Sequence, residues 1–205
     1  MIESIDNSLQ IVVLVICTLI AAKKAFEQNS RAWTLLAFFF GNFALDDLYL
    51  VMCLLTVGEA STLSVVSELS WYASYIFLYM LIRQLAPPAV KVPKSFLPWL
   101  GPILSMSMAI FFMQWGNIAS NLIYGALMGL VMYAALHRLS RPEQYGHVKM
   151  LCVLVLVLCF LEYTMWTISC YYEGGEAGNP YYLFDFLITV SFPFFLRGTR
   201  KAVEK

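Results

Sequence analysis

Long apolar runs recur along this chain, and they constrain its fold more than any other feature. About 20 consecutive apolar residues can cross the hydrocarbon core of a bilayer as a helix. Seven runs approach or exceed that length, and short connections join them. They cover about 9–26, 32–57, 63–85, 96–115, 118–138, 149–172 and 181–197. The pattern predicts an all-α polytopic membrane protein with seven transmembrane helices in a single domain, residues 1–205.

The composition fits this reading. Only 13% of the residues are charged and 60% are hydrophobic, whereas soluble domains carry about 25% charged residues. The first run has acidic residues before it and basic residues after it, which is the reverse of a secretory signal. We therefore expect a retained span, an integral protein of a plasma or inner membrane, and the lipid bilayer as a partner. Nothing in the sequence indicates nucleic-acid binding.

The basic residues predict the orientation of the chain. With seven spans, all 13 Lys and Arg residues fall on one side, at every second connection and in the C-terminal tail. The opposite side carries acidic residues and no base: Glu3, Asp6, Glu59, Glu173 and Glu176. Because basic loops stay in the cytoplasm, this predicts the N-terminus outside and the C-terminus inside.

An internal repeat is also predicted. A shift of 117 positions superposes Gly58-Glu59-Ala60 on Gly175-Glu176-Ala177, Cys53 on Cys170 and Glu68 on Asp185. A one-residue slip places Asp46 on Glu162. Two parallel repeats would then cover about 9–85 and 118–197, with a linker helix at about 96–115. Transporters built from such repeats bind substrate near the repeat interface.

Five carboxylates lie inside the predicted spans, with no base at the same depth: Asp46, Asp47, Glu68, Glu162 and Asp185. An unpaired charge at the bilayer centre costs about 2.5–3.5 kcal/mol on insertion scales, so such residues usually face a polar cavity. Counting residues along each span puts all five in the outer half of the membrane. We therefore predict one acidic cavity that faces the outside.

Helical spacing adds aromatic and amide side chains to the acids. Glu68 shares a helix face with Trp71 and Tyr72, and Glu162 shares one with Trp166. Acids beside aromatic rings suit a cation, because the rings add cation–π attraction. Asp47 points about 100° away from Asp46, and we expect it to be structural. The candidate ligand-binding or proton-coupling residues are Asp46, Glu68, Glu162, Asp185, Trp71, Tyr72, Trp166, Asn42, Tyr49 and Asn121.

Other chemistry has weaker support in the sequence. Carboxylates also bind hard cations, but no metal-ligand spacing motif is present, so a metal site is left open. No nucleophile motif, Gly-rich phosphate loop or His-based triad is found, and an intramembrane hydrolase that uses paired carboxylates is kept only as an alternative. An outer disulfide between Cys53 and Cys170 is likewise left open.

The topology resembles two groups of seven-helix membrane proteins, the SWEET and PQ-loop transporters and the microbial rhodopsins. The resemblance covers the whole chain but only its topology. The Pro-Gln pair of the PQ-loop family is absent. The seventh span has no Lys at mid-membrane, since Lys201 and Lys205 lie beyond its inner end. Retinal is therefore not expected, nor is any other cofactor.

The function expected from these patterns is that of a small transporter for a cationic or polar solute, coupled to protons or cations. The alternative is a ligand-sensing receptor subunit that docks on a separate cytoplasmic signalling partner. A homo-oligomer is also left open.

Overall fold

The chain forms a bundle of helices. The computed structural model describes residues 2–56, 65–86, 95–172 and 178–204. Within these ranges the chain forms eight α-helices and two short turns of 3-10 helix. The α-helices are α1 (Ile2–Gln28), α2 (Arg31–Thr56), α3 (Val65–Leu85), α4 (Leu100–Phe112), α5 (Ile118–Leu139), α6 (Pro142–Tyr145), α7 (Lys149–Ser169) and α8 (Tyr181–Val203). Short 3-10 turns, Leu97–Trp99 and Gly146–Val148, precede α4 and α7.

Four helical segments are long and apolar enough to cross a membrane: Ile5–Gln28, Arg31–Thr56, Ile118–Leu139 and Pro142–Ser169. Their outer faces expose large apolar side chains such as Leu19 and Phe160, which are 64% and 66% exposed. Soluble monomers rarely expose large continuous apolar surface, so these helices indicate a membrane protein. The other predicted spans coincide with α3, α4 and α8, which are shorter or more polar.

Helix α4 is shorter than the sequence predicts. The apolar run extends to residue 115, but the helix ends at Phe112 and the chain turns at Gly116, whose φ of 79° suits glycine. The Asn121 side chain donates hydrogen bonds to the carbonyl oxygens of Phe112 and Trp115 at 2.8 and 3.0 Å. Asn117 then caps α5 by accepting from the backbone N–H groups of its first turn.

Six of the helices form a ring. Around it, each helix packs against the next in the order α1, α2, α3, α5, α7 and α8, and α8 returns to α1. Helix α4 lies outside the ring against α5. The two approach closely because Gly101 and Gly125 carry no side chain; a Cβ at Gly125 would lie 2.6 Å from that of Ala109. The ring places any central cavity within reach of six helices.

Five phenylalanines fill the middle of the ring. This inner plug consists of Phe39, Phe40 and Phe43 on α2 with Phe192 and Phe195 on α8. Their ring centroids lie 5.2–6.2 Å apart in the closest pairs, and four of the five are fully buried. The plug is apolar and buried, and Phe43 also lines the polar cavity described below.

The basic residues cluster at one end of the bundle. Lys24, Arg197 and Arg200 border one cavity, and Arg138 is buried beside the end of α3. Its Nε and Nη2 donate to the Ala86 carbonyl oxygen at 3.1 and 2.7 Å, and Nη1 donates to that of Ala134. A cation at a helix C-terminus is favourable because it faces the negative end of the helix dipole. This arrangement fixes α3 to α5.

Several sequence predictions fall outside the described residues. They are the superposition of 58–60 on 175–177 and the charges of Glu59, Lys91, Lys94, Glu173, Glu176 and Lys205. The side chain of Glu3 is not described either. Cys53 and Cys170 are both free thiols, so the disulfide that the sequence left open is not formed.

Candidate functional site

A polar cavity of about 200 Å³ lies inside the ring. Each of the six ring helices contributes to its lining, and Phe43 of the inner plug forms part of it. The acidic residues of the lining stand about 20–27 Å along their helices from the basic ends, at 1.5 Å per residue. The cavity is therefore located in the half of the bundle away from the basic residues.

Four carboxylates converge on this acidic cavity. Asp46 and Asp47 come from α2, Glu162 from α7 and Asp185 from α8. Their residues are 8%, 6%, 1% and 4% exposed. No Lys, Arg or His is among the described lining residues. Protons, water or a bound cation must therefore balance these four groups, because buried charges require compensation.

Hydrogen bonds satisfy only some of the carboxylate oxygens. Ser67 donates to Asp46 Oδ1, and Gln10 Nε2 donates to Asp185 Oδ1 at 3.2 Å. The Tyr75 hydroxyl donates to Glu162 Oε1 at 3.3 Å. Asp47 Oδ2 and Glu162 Oε2 are buried and receive no hydrogen bond from the described residues. These two oxygens are the carboxylate acceptors of the cavity lining that the described residues leave unsatisfied.

Asp185 also meets a fifth acid, Asp6 of α1. Their side chains lie within hydrogen-bonding reach of each other. Two carboxyl groups can form this contact only when a proton lies between them, because ionised carboxylates are acceptors alone. A proton shared between Asp6 and Asp185 would satisfy this contact at the edge of the acidic cavity.

An aromatic wall closes the cavity on the side of α3, α5 and α7. Trp71 stacks on Tyr75 and meets Tyr124, with ring centroids 4.0 Å apart in both pairs. Trp166 lies 4.6 Å from Tyr124 and 5.3 Å from Trp71. Trp71 also lies within hydrogen-bonding reach of the Glu162 carboxyl group. Ring faces beside carboxylates can hold an organic cation by cation–π attraction.

A second cavity of about 290 Å³ lies on the other side of this wall. Tyr124 and Trp166 line both cavities, and Asn121, Trp115 and Ser169 line only the second. Tyr124 and Trp166 therefore form a boundary between the acidic cavity and this second cavity.

The structure brings together five of the ten predicted site residues. Asp46, Glu162, Asp185, Trp71 and Trp166 line the acidic cavity. The other five do not line it, and the following contacts explain the positions of four of them.

Glu68 and Tyr72 lie behind the aromatic wall. Glu68 Oε2 accepts from Ser120 at 2.8 Å and from Tyr72 at 3.3 Å, and Tyr72 packs on Tyr124 at 5.1 Å. Asn121 binds the end of α4, as described above.

Asn42 and Tyr49 remain on α2 without reaching the cavity lining. Asn42 donates to the Phe38 carbonyl oxygen of its own helix at 2.8 Å. Tyr49 is half-buried.

Sequence reasoning missed several lining residues, above all Asn7 and Gln10. A signal for both exists: Asn7, Gln10, Leu14, Cys17 and Ala21 are all buried and recur at steps of three and four. The polar pair continues an apolar helix face and so points into the protein.

Ser67 was also missed, and Asp47 was counted among the five acids but not among the candidate binding residues. The expectation that Asp47 lies apart from Asp46 overlooked the width of a cavity enclosed by six helices, which both neighbouring side chains can reach.

The described residues offer no compact metal site. No three His, Cys, Asp or Glu side chains within the described ranges are close enough to share one ion. Comparison with family models, curated proteins and solved structures finds no match for this chain.

Proposed function

We propose that this protein is a small membrane transporter that binds a cationic solute in the acidic cavity and couples its movement to protons. The observation that carries the proposal is the convergence of Asp46, Asp47, Glu162 and Asp185 on one cavity without a basic partner. A purely structural role would leave fewer acids at this place, since each buried carboxylate costs free energy unless it is balanced. An exchangeable cation provides that balance.

The proton-linked part of the proposal is based on the Asp6–Asp185 pair. We infer that this pair shares a proton next to the site that binds the cation, so that arrival of a cation and release of a proton are coupled through charge. Proton relays in transporters commonly use such intramembrane acids.

The packing also favours a protein that alternates between states. Phe43 of the inner plug borders the acidic cavity on one side and Tyr124 with Trp166 borders it on another, and we infer that these groups are the two barriers of an alternating transporter. Both barriers consist of side chains on helices that could shift. Pro193 lies inside α8 beside Phe192 of the plug, and a proline in a helix removes a backbone hydrogen bond and can form a kink or hinge.

We further propose seven spans, with the N-terminus outside and the C-terminus inside, and two parallel repeats. The ring order supports the repeats, because exchanging α1, α2 and α3 with α5, α7 and α8 leaves the sequence of neighbours unchanged. On this reading, Asp46 and Glu162 occupy equivalent places, and both line the cavity.

Uptake into proteoliposomes tests the proposal. Labelled choline and labelled butanediamine are supplied outside, with a pH gradient of either sign or a membrane potential imposed. We expect accumulation of a cation under at least one gradient, with a pH change in the lumen. Glu162→Gln should reduce the initial rate by about tenfold or more, the loss expected for one charge-assisted interaction. Glu27→Gln is the matched control, because this exposed glutamate lies at the basic end.

Tight binding of either cation without uptake under any gradient would contradict transport. That result would favour the sensing alternative, in which a cytoplasmic partner reads the occupied state. Absence of both binding and uptake in correctly folded protein would remove the cation site itself.

A further inference from the structure

Two carboxylates of the acidic cavity, Asp47 and Glu162, lie on helices that are not neighbours in the ring. Asp47 projects from α2 and Glu162 from α7. Around the ring, α1 and α8 separate α2 from α7 on one side, and α3 and α5 separate them on the other. The cavity therefore presents one acidic group on each of two opposite sides.

Each side has an unsatisfied acceptor. Asp47 Oδ2 and Glu162 Oε2 are buried without a hydrogen-bond partner in residues only 6% and 1% exposed. Asp46 accepts from Ser67 and Asp185 accepts from Gln10, whereas Glu162 accepts from Tyr75 only through Oε1. An unmade hydrogen bond at a buried group costs about 1–3 kcal/mol, and more when the group is charged. A ligand that donates at both places removes this cost twice.

The size of the cavity limits what can bridge the two oxygens. Water occupies about 30 Å³ in the liquid, so 200 Å³ holds about six or seven groups of that size. A single metal ion does not fit the distribution, because no three potential ligands within the described residues surround one point. A chain of four or five methylenes with an amine at each end contains about six or seven such groups, which matches the volume of the cavity.

We propose that the solute is a short aliphatic diamine whose two ammonium groups bind Asp47 and Glu162, with its methylenes against Trp71 and Tyr124. This inference rests on the proposed function and names its substrate class. The aromatic rings cover the apolar middle of the molecule, and ammonium groups supply the N–H donors that the two unsatisfied oxygens lack.

Isothermal titration calorimetry on the purified protein tests the proposal. The probes are diamines with terminal amino groups and three to six carbons, with butylamine as the one-ended control. We expect the tightest binding for four or five carbons, and butanediamine to bind on the order of tenfold to a hundredfold more tightly than butylamine.

Two variants remove one end of the bridge each. In Glu162→Gln and in Asp47→Asn, the preference for butanediamine over butylamine should fall to about threefold or less, while Glu27→Gln keeps the full preference. Thermal unfolding of each variant without ligand checks that the fold is intact.

Equal binding of butylamine and butanediamine, or affinity that is independent of chain length, would overturn the diamine inference. Uptake of choline or butylamine in that case would still support a cation transporter. Failure of every amine to bind folded wild-type protein would instead overturn the proposed function.

Discussion

Replacing Glu162 by Gln gives the sharpest prediction, because it should weaken function and preserve or raise stability. The substitution keeps the volume of the side chain and an oxygen that can accept from Tyr75, whose hydroxyl lies 3.3 Å from Glu162 Oε1 in the wild-type protein. It changes Oε2, which has no partner, into an amide that can donate to neighbouring carboxylates. It also removes one of the four acidic groups from the cavity.

Both effects have an expected magnitude. A hydrogen bond to a charged group contributes about 1.5–3 kcal/mol, so butanediamine should bind about tenfold to a hundredfold more weakly. A sphere with the volume of the cavity, 200 Å³, is about 7 Å across. Two ionised carboxylates at that separation repel by about 2 kcal/mol at an effective dielectric constant of about 20. Relief of this repulsion should leave the Tm of the ligand-free variant equal to that of wild type or a few degrees higher.

Calorimetry for affinity and thermal unfolding for stability provide the assay. Saturating butanediamine should raise the Tm of wild-type protein, because a ligand that binds only the folded state stabilises it, and should raise that of Glu162→Gln much less. Glu27→Gln should match wild type in both measurements. The reasoning fails if Glu162→Gln binds butanediamine within threefold of wild type, or if its ligand-free Tm falls by several degrees.

Three further predictions concern other parts of the molecule. Glu68→Gln should change butanediamine affinity by about threefold or less in calorimetry, because Glu68 accepts from Ser120 behind the aromatic wall. A loss of affinity as large as that of Glu162→Gln would contradict this and place Glu68 in the acidic cavity. Gly125→Ala should destabilise the protein by about 1–3 kcal/mol in thermal unfolding, because the new Cβ overlaps Ala109; an unchanged Tm would contradict the close α4–α5 contact. Arg138→Ala should cost about 1–3 kcal/mol by leaving the Ala86 carbonyl oxygen unpaired, and Arg138→Lys should recover part of it; equal Tm values for all three proteins would refute this.

The helices were the most predictable part of the fold. Each of the seven apolar runs overlaps a helix, and four helical segments are long and apolar enough to cross a membrane, where a helix satisfies its own backbone. The ends were less predictable. Helix α4 stops at Phe112 because Asn121 and Gly116 form a turn within a sequence that still reads as apolar.

The acids were predictable as a group and less so as a site. Burial of a charge without a base indicates a polar cavity, and Asp46, Glu162 and Asp185 do share one. Spacing along a helix gives the direction of a side chain but not the neighbour that it meets. Glu68 therefore turns out to bind Ser120 of α5, and Asn42 binds its own helix.

Residues from distant parts of the chain complete the cavity in a way that no local pattern encodes. Gln10 reaches Asp185, which is 175 positions away in sequence, and Tyr75 reaches Glu162. These pairings depend on the order in which the helices pack around the ring. The polar residues of α1 could have been found from their spacing, since they continue a buried apolar face.

Carbodiimide labelling with protection by ligand tests most directly whether the carboxylates form one cation site. A hydrophobic carbodiimide adds to protonated carboxyl groups, and mass spectrometry quantifies at each residue both the carbodiimide adduct and any amide that butanediamine forms from it with release of the urea. Increasing butanediamine should protect Asp46, Asp47, Glu162 and Asp185 with a single common midpoint, and leave Glu27 unaffected. Protection of these residues at different midpoints, or no protection of any of them, would contradict the claim that one cation occupies one shared acidic cavity.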